Sequence, residues 1–269
     1  MIKKFLFLLL SLLSAANYAQ AAQSARFFET DSYTDIFISS QKADITVTPA
    51  RGQDSGIIWN PKLCVMTFRR PSKDVVKIDI EPRKQNAFFQ KMLMIPHSRC
   101  SVELRAGAGK NIYASSQSGD IRFFYLNSKL ARAYSGQGVV ETLSTGGDFA
   151  AETLTDKINI REFNGGNLSL KTASGNITVT GKAKNISLLN TSGESKLTGF
   201  ADTLMFYSSQ GGLNAKWESL PENALNISAH SFSGNIKLSL PKADEKYKEA
   251  SKLDLKTFYG NIVVEERRN

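Results

Sequence analysis

One segment of the chain repeats another without a gap, and that repeat limits the fold more than any other feature. Asp35-Ile-Phe-Ile-Ser-Ser-Gln-Lys-Ala-Asp-Ile-Thr-Val47 aligns position for position with Asn111-Ile-Tyr-Ala-Ser-Ser-Gln-Ser-Gly-Asp-Ile-Arg-Phe123. The frame returns over 167–179, 226–238 and 252–264, with looser copies at 185–194 and 203–212. A leading apolar residue stands seven positions before a glycine in Ile112/Gly119, Ile158/Gly165, Leu168/Gly175, Ile186/Gly193, Leu204/Gly211, Ile227/Gly234 and Leu253/Gly260. In the middle of the chain the glycines at 165, 175, 193 and 211 step by 10 or 18 residues. A half-coil of nine or ten residues, two to a turn, accounts for both steps.

The residue types give the frame its physical meaning. Apolar residues two apart, such as Leu168/Leu170 and Ile177/Val179, face one side of a strand while their neighbours face water. Glycine followed by Asn or Asp suits a tight corner, since glycine takes positive φ freely and Asn or Asp tolerates it. Ile121, Ile177, Ile236 and Ile262 then open the next strand. One such unit buries little, but a stack at ~4.8 Å per coil buries a continuous core. The predicted fold is all-β: a β-solenoid, single-stranded and β-helix-like, with short strands and Gly-Asn/Asp corners. Its handedness is undetermined, and seven or eight coils would give a rod of about 35–40 Å.

The expected organisation is a signal peptide over 1–21 and one solenoid domain over 22–269. Met1-Ile2-Lys3-Lys4 is a short basic start, Phe5–Leu13 is almost wholly apolar, and Ala19-Gln20-Ala21 supplies small residues for cleavage. The apolar run is shorter than the ~20 residues that span a bilayer, so no transmembrane span is expected after cleavage. Export to the periplasm, cell surface or medium follows as an expectation. Residues from about 50 to 110 fit the frame poorly, although Val75–Ile80 and Val102–Leu104 still read as strands. Both cysteines, Cys64 and Cys100, lie in this irregular section. In an oxidising compartment such a pair is a disulfide candidate, with two buried thiols as the alternative.

Repeated Ser-Gly-Asn/Asp-Ile segments at 118–123, 174–179 and 233–238, and the Gly-Asn-Ile of 259–264, resemble the bacterial "putative adhesin" β-solenoid domains of unknown function. That group is related to the head-GIN "putative autotransporter adhesins". The resemblance implies a β-helix-like fold and an envelope or exported location, and it brings no catalytic residues.

Little in the chain points to chemistry. There are two histidines. His230 occupies the repeat position held by Ser115, Lys171 and Leu189, where a surface role is expected, and His97 has no clear partner in sequence. Cys64, His97, Cys100 and His230 match no usual zinc spacing. Asp44 and Asp120 fall at equivalent corners, as do Asn176, Asn235 and Asn261, so a turn role is expected of each. Asn111, Asn167, Asn185 and Asn226 open repeats; stacked hydrogen bonding explains them better than glycosylation does. No catalytic, cofactor or metal residues are therefore assigned.

The net charge of +9 falls to +7 without Lys3 and Lys4. It is too diffuse for a nucleic-acid arm, and no nucleic-acid partner is expected. The cations of the irregular section are Arg69, Arg70, Lys73, Lys77, Arg83, Lys84, Lys91 and Arg99. If they share a face they suit an anionic polysaccharide, lipid headgroups or an envelope protein. Beside Asp74, Asp79 and Glu81 they also read as an ordinary solvated surface. Phe88-Phe89 is either a contact point or an end cap. The function expected is a non-enzymatic, adhesin-like or scaffold protein. The alternative is a carbohydrate-active enzyme, a polysaccharide lyase or hydrolase, on a β-helix.

Overall fold

A computed structural model describes residues 24–27, 32–51, 55–83, 99–220, 225–241 and 252–267. The expected signal peptide, Lys84, Phe88-Phe89, Lys91, His97 and residues 242–251 lie outside the described residues. The described chain is all-β, with twenty strands and no helix long and apolar enough to cross a membrane.

The strands form two faces. On the first face, Ile36, Ile112, Ala131, Phe149, Leu168, Ile186, Leu204 and Ile227 stand in register across parallel neighbours. Each is at most 2% exposed. On the second, Ile45, Ile121, Val140, Ile158, Ile177, Ser195, Leu213 and Ile236 do the same. The period-two alternation thus puts every second residue into one shared core. In the middle of the chain, three long strands, Ile158–Thr172, Ile177–Asn190 and Ser195–Ser208, serve both faces in turn. Asp35–Ser40 and Ile45–Val47 pair with the very residues their gap-free alignment selects, Asn111–Ser116 and Ile121–Phe123.

The irregular section supplies a coil of its own, displaced from its place in sequence. Strand Val75–Pro82 pairs in parallel with Asp35–Ser40, and Ser101–Ala106 with Asp44–Pro49. The earliest repeat is therefore sandwiched between strands 75–82 and 101–106 on one side and residues 111–124 on the other. Ten coils are stacked among the described residues, more than the seven or eight expected, and three of them, from the irregular section and the 130–143 and 148–161 segments, lie outside the repeat copies. The end of the stack is closed by antiparallel strands: Cys64–Ser72 on Val75–Pro82, and Gly56–Trp59 on Ser101–Ala106. Cys64 and Cys100 form a disulfide with Cα atoms 5.4 Å apart, tying this cap to the adjacent coil.

Gly193 has the positive φ expected of a corner, +123°, but other corner glycines have a different cause. Gly119, Gly175 and Gly234 do not have positive φ. A Cβ on Gly175 would lie 1.9 Å from the Asp156 carbonyl oxygen of the coil beneath, and one on Gly119 would lie 2.0 Å from that of Ala43. Close approach between coils, not turn conformation, excludes a side chain there. The pair Ile158/Gly165 proves accidental, since Ile158 belongs to the second face and Gly165 packs on Gly147 at the other corner.

A row of hydroxyls accompanies the corner glycines, three residues before each except Gly193, where Asn190 takes the place. Ser116 Oγ accepts the Gly119 amide at 2.8 Å and donates to the Ala43 carbonyl of the next coil at 3.1 Å. Ser135, Ser231 and Thr257 donate likewise across coils, and Thr172 and Ser208 accept their own corner amides. Asp44, Asp120, Asn176 and Asn235 each accept an amide of the adjoining coil at 2.9 Å. The Asn185 amide group donates to Asn167 Oδ1 at 2.8 Å. The recurrent Asp and Asn residues are thus occupied in holding corners.

Candidate ligand-binding face

Outward residues of the first face form two rows crossing the strands. One row runs Lys77, Phe37, Tyr113, Arg132, Ala150, Ser169; the other runs Asp79, Ser39, Ser115, Tyr134, Glu152, Lys171. Together with Arg69 they line a groove of about 760 Å³, within the ~300–1,000 Å³ range of ligand sites.

The first row begins with an ordered ladder. Phe37 and Tyr113 come from adjacent parallel strands in register, so their rings stack, with centroids 4.4 Å apart and planes 6° from parallel. The Lys77 ammonium lies 5.6 Å from the Phe37 centroid, and the Arg132 guanidinium 5.9 Å from that of Tyr113. Cation–π attraction at both ends fixes these cations over the ring faces. The faces are consequently used up, and a ligand meets ring edges, which carry the positive end of the quadrupole. Among the described residues, neither Lys77 nor Arg132 has a carboxylate within ion-pair distance.

The carboxylates of the groove are committed. Asp79 accepts the Ser39 hydroxyl at 2.6 Å and the Arg69 guanidinium Nε at 3.0 Å. The Ser39 hydrogen bond is the main reason its carboxyl is held below the usual range; burial opposes this, while Arg69 and, least, the nearby Lys77 charge add to it. Glu152 accepts Lys171 Nζ at 2.8 Å, a bond that raises the lysine above its ordinary range.

Of the eight cations expected from the sequence, the six described ones do not all share one face. Arg69 and Lys77 face each other across paired strands and enter the groove. Arg70 has the opposite parity and lies over Tyr33, 5.5 Å from the ring centroid. Lys73 is exposed in the turn between those strands, and Arg83 and Arg99 are exposed elsewhere in the section. Lys84 and Lys91 lie outside the described residues. Arg132 and Lys171 complete the groove from the repeat region. Their signal in the sequence was outward parity within the frame, since Ala131 and Ala133 flank Arg132 and point inward.

His230 stands where the frame placed it, in the outer row with Tyr207 and Lys256. Its neighbours are Ser228 Oγ at 3.3 Å and Asp254 Oδ2 at 3.2 Å, both on Nε2. A serine–histidine–aspartate relay needs one partner on each ring nitrogen, so this grouping is not such a relay.

Two solved structures are similar over nearly their whole length. One is a "putative cell adhesion protein" from Clostridium sporogenes: 8% identity, TM-score 0.32, covering 91% of this chain and 99% of that one. The other is a "putative lipid binding protein" from Parabacteroides distasonis: 14% identity, TM-score 0.49, covering 93% and 98%. No curated protein matches the chain. The Toastrack DUF4097 family matches residues 33–269, which takes in the whole coil stack, and the chain belongs to that family.

Proposed function

We propose that this chain is an exported, non-enzymatic β-solenoid scaffold of adhesin-like type, binding an anionic ligand on the outer side of its first face. One observation carries the reading: Lys77 and Arg132 are held over the Phe37–Tyr113 stack in an open groove, with no carboxylate paired to either among the described residues. Exposed cations ordered by their own neighbours cost a ligand little entropy to engage. The disulfide is compatible with an oxidising, exported setting. Kinship with head-GIN adhesins belongs to the same proposal.

The enzyme alternative is less well supported. Asp79 and Glu152 are the carboxylates of the groove, and four strand steps separate them, about 19 Å. Glycosidase pairs work at about 5–9.5 Å. The test is equilibrium binding of the purified chain to immobilised hyaluronate and to anionic lipid, at low and moderate salt. The expected result is salt-sensitive binding to at least one, weakened at least about tenfold by K77Q/R132Q, since a charged hydrogen bond is worth about 1.5–3 kcal/mol. Equal binding by the variant, or release of sugars from the polymer, would overturn the reading.

A further inference from the structure

We infer that the groove takes a linear, sparsely charged polyanion, an acidic polysaccharide lying along the axis of the stack. This inference rests on the anion-binding reading of the same face. The groove crosses six adjacent strands between Lys77 and Lys171. At ~4.8 Å per strand it is about 24 Å long. The two outward rows line it along that whole length, so it is an elongated, open trough that suits an extended chain.

The charge pattern selects the kind of polymer. Lys77 and Arg132 are three strand steps apart, about 14 Å, and Lys171 is two steps further, about 10 Å along the axis. Asp79 lies beside Lys77 on the same strand, and Glu152 lies between Arg132 and Lys171. Duplex DNA carries a charge every ~1.7 Å, so its phosphates would be driven against both carboxylates. A glycan with one carboxylate per disaccharide meets the wide cation spacing. Its hydroxyls meet the Ser39, Ser115, Tyr134 and Ser169 side chains that occupy the intervals. Because the faces of Phe37 and Tyr113 are already stacked, sugar rings are held through charges, hydroxyls and ring edges rather than by stacking.

The experiment uses the full chain and a length series of hyaluronate oligosaccharides, with glucuronate, single-stranded DNA and anionic phospholipid vesicles alongside. Affinity is expected to climb with oligosaccharide length until the chain spans the trough, and then to level off. Arg132→Gln should weaken the long oligomers about tenfold, the worth of one charged hydrogen bond. Lys237→Gln, on the other face, should leave affinity unchanged. If glucuronate binds as tightly as the longest oligomer and K77Q/R132Q abolishes it, the polymer inference is wrong while the anion-binding reading stands. Tighter binding of DNA or vesicles, lost in the same variant, has the same consequence. If no anion binds, or if Arg132→Gln behaves as wild type, both fall.

Discussion

Gly175→Ala should be among the most damaging conservative changes available to this chain. The added Cβ would lie 1.9 Å from the Asp156 oxygen, 2.5 Å from the Asp156 carbonyl carbon and 2.9 Å from Thr172 Oγ1. Two of these are rigid backbone atoms. Restoring an ordinary contact of about 3.4 Å requires the coils to part by about 1.5 Å. That movement would carry Ser174 N···Leu154 O (3.1 Å) and Ile158 N···Asn176 O (2.9 Å) out of hydrogen-bonding range. Two such bonds are worth about 1 kcal/mol each, and overpacking adds about 1–3 kcal/mol. The expected loss is about 3–5 kcal/mol, which for a domain of this size lowers Tm by roughly 6–20 °C. Gly109→Ala is the control. Its φ is +73° and nothing lies within 4 Å of an added Cβ, so only the left-handed strain of about 1–2 kcal/mol applies. Thermal and urea unfolding of both variants decide the matter. The corner at Thr153–Asp156 carries a side chain, and there Thr153 Oγ1 donates to the Asp156 carbonyl instead of accepting an amide. If Gly175→Ala costs no more than Gly109→Ala, corners adjust freely between these two patterns and the close-approach argument is refuted.

Other consequences can be measured with the same means. Thr142 is fully buried between Phe123 and Ile160, and its Oγ1 has no hydrogen-bond partner; Thr142→Val should therefore raise stability by about 1–2 kcal/mol in urea unfolding. Replacing both Cys64 and Cys100 with alanine releases a crosslink across 36 positions, and chain entropy then predicts a loss of about 4 kcal/mol, read as a lower urea midpoint. Asp79 has a depressed folded-state pKa, so it adds stability at neutral pH that disappears as pH falls through and below the usual carboxylate range. Asp79→Asn should flatten that part of the stability–pH curve, and an unchanged curve would show that the Ser39 and Arg69 contacts are not maintained in solution.

The sequence carried much of this architecture because a stacked coil copies its contacts. The match of 35–47 to 111–123 is also their spatial register, and the row containing His230 was legible by counting within the frame. The displaced coil was not legible. Residues 75–106 reach the outside of the 35–49 coil through long connections, and nothing in the periodicity of Val75–Ile80 states on which side of its neighbour it stacks. The cation group misled for a simpler reason. Arg69 and Arg70 are adjacent in a strand, so they point to opposite sides, and closeness in sequence argues against a shared surface. Arg132 was hidden by lying in a repeat copy that lacks the Asn-Ile opening, although its parity marks it as outward. The serines and threonines three before the corner glycines were visible as a pattern. Their role appears only once the coils are stacked, because most of these hydroxyls reach a neighbouring coil.

The central claim is that anion recognition takes place on one face. Isotope-labelled chain, with backbone amides assigned, can be titrated with a hyaluronate oligosaccharide while its amide shifts are followed. The predicted changes are confined to the amides of Phe37, Ser39, Lys77, Tyr113, Ser115, Arg132, Tyr134 and Lys171, and they vanish in K77Q/R132Q. Shifts centred instead on the second face, or on the exposed Phe232, Phe258 and Tyr259 of the last corners, would contradict it.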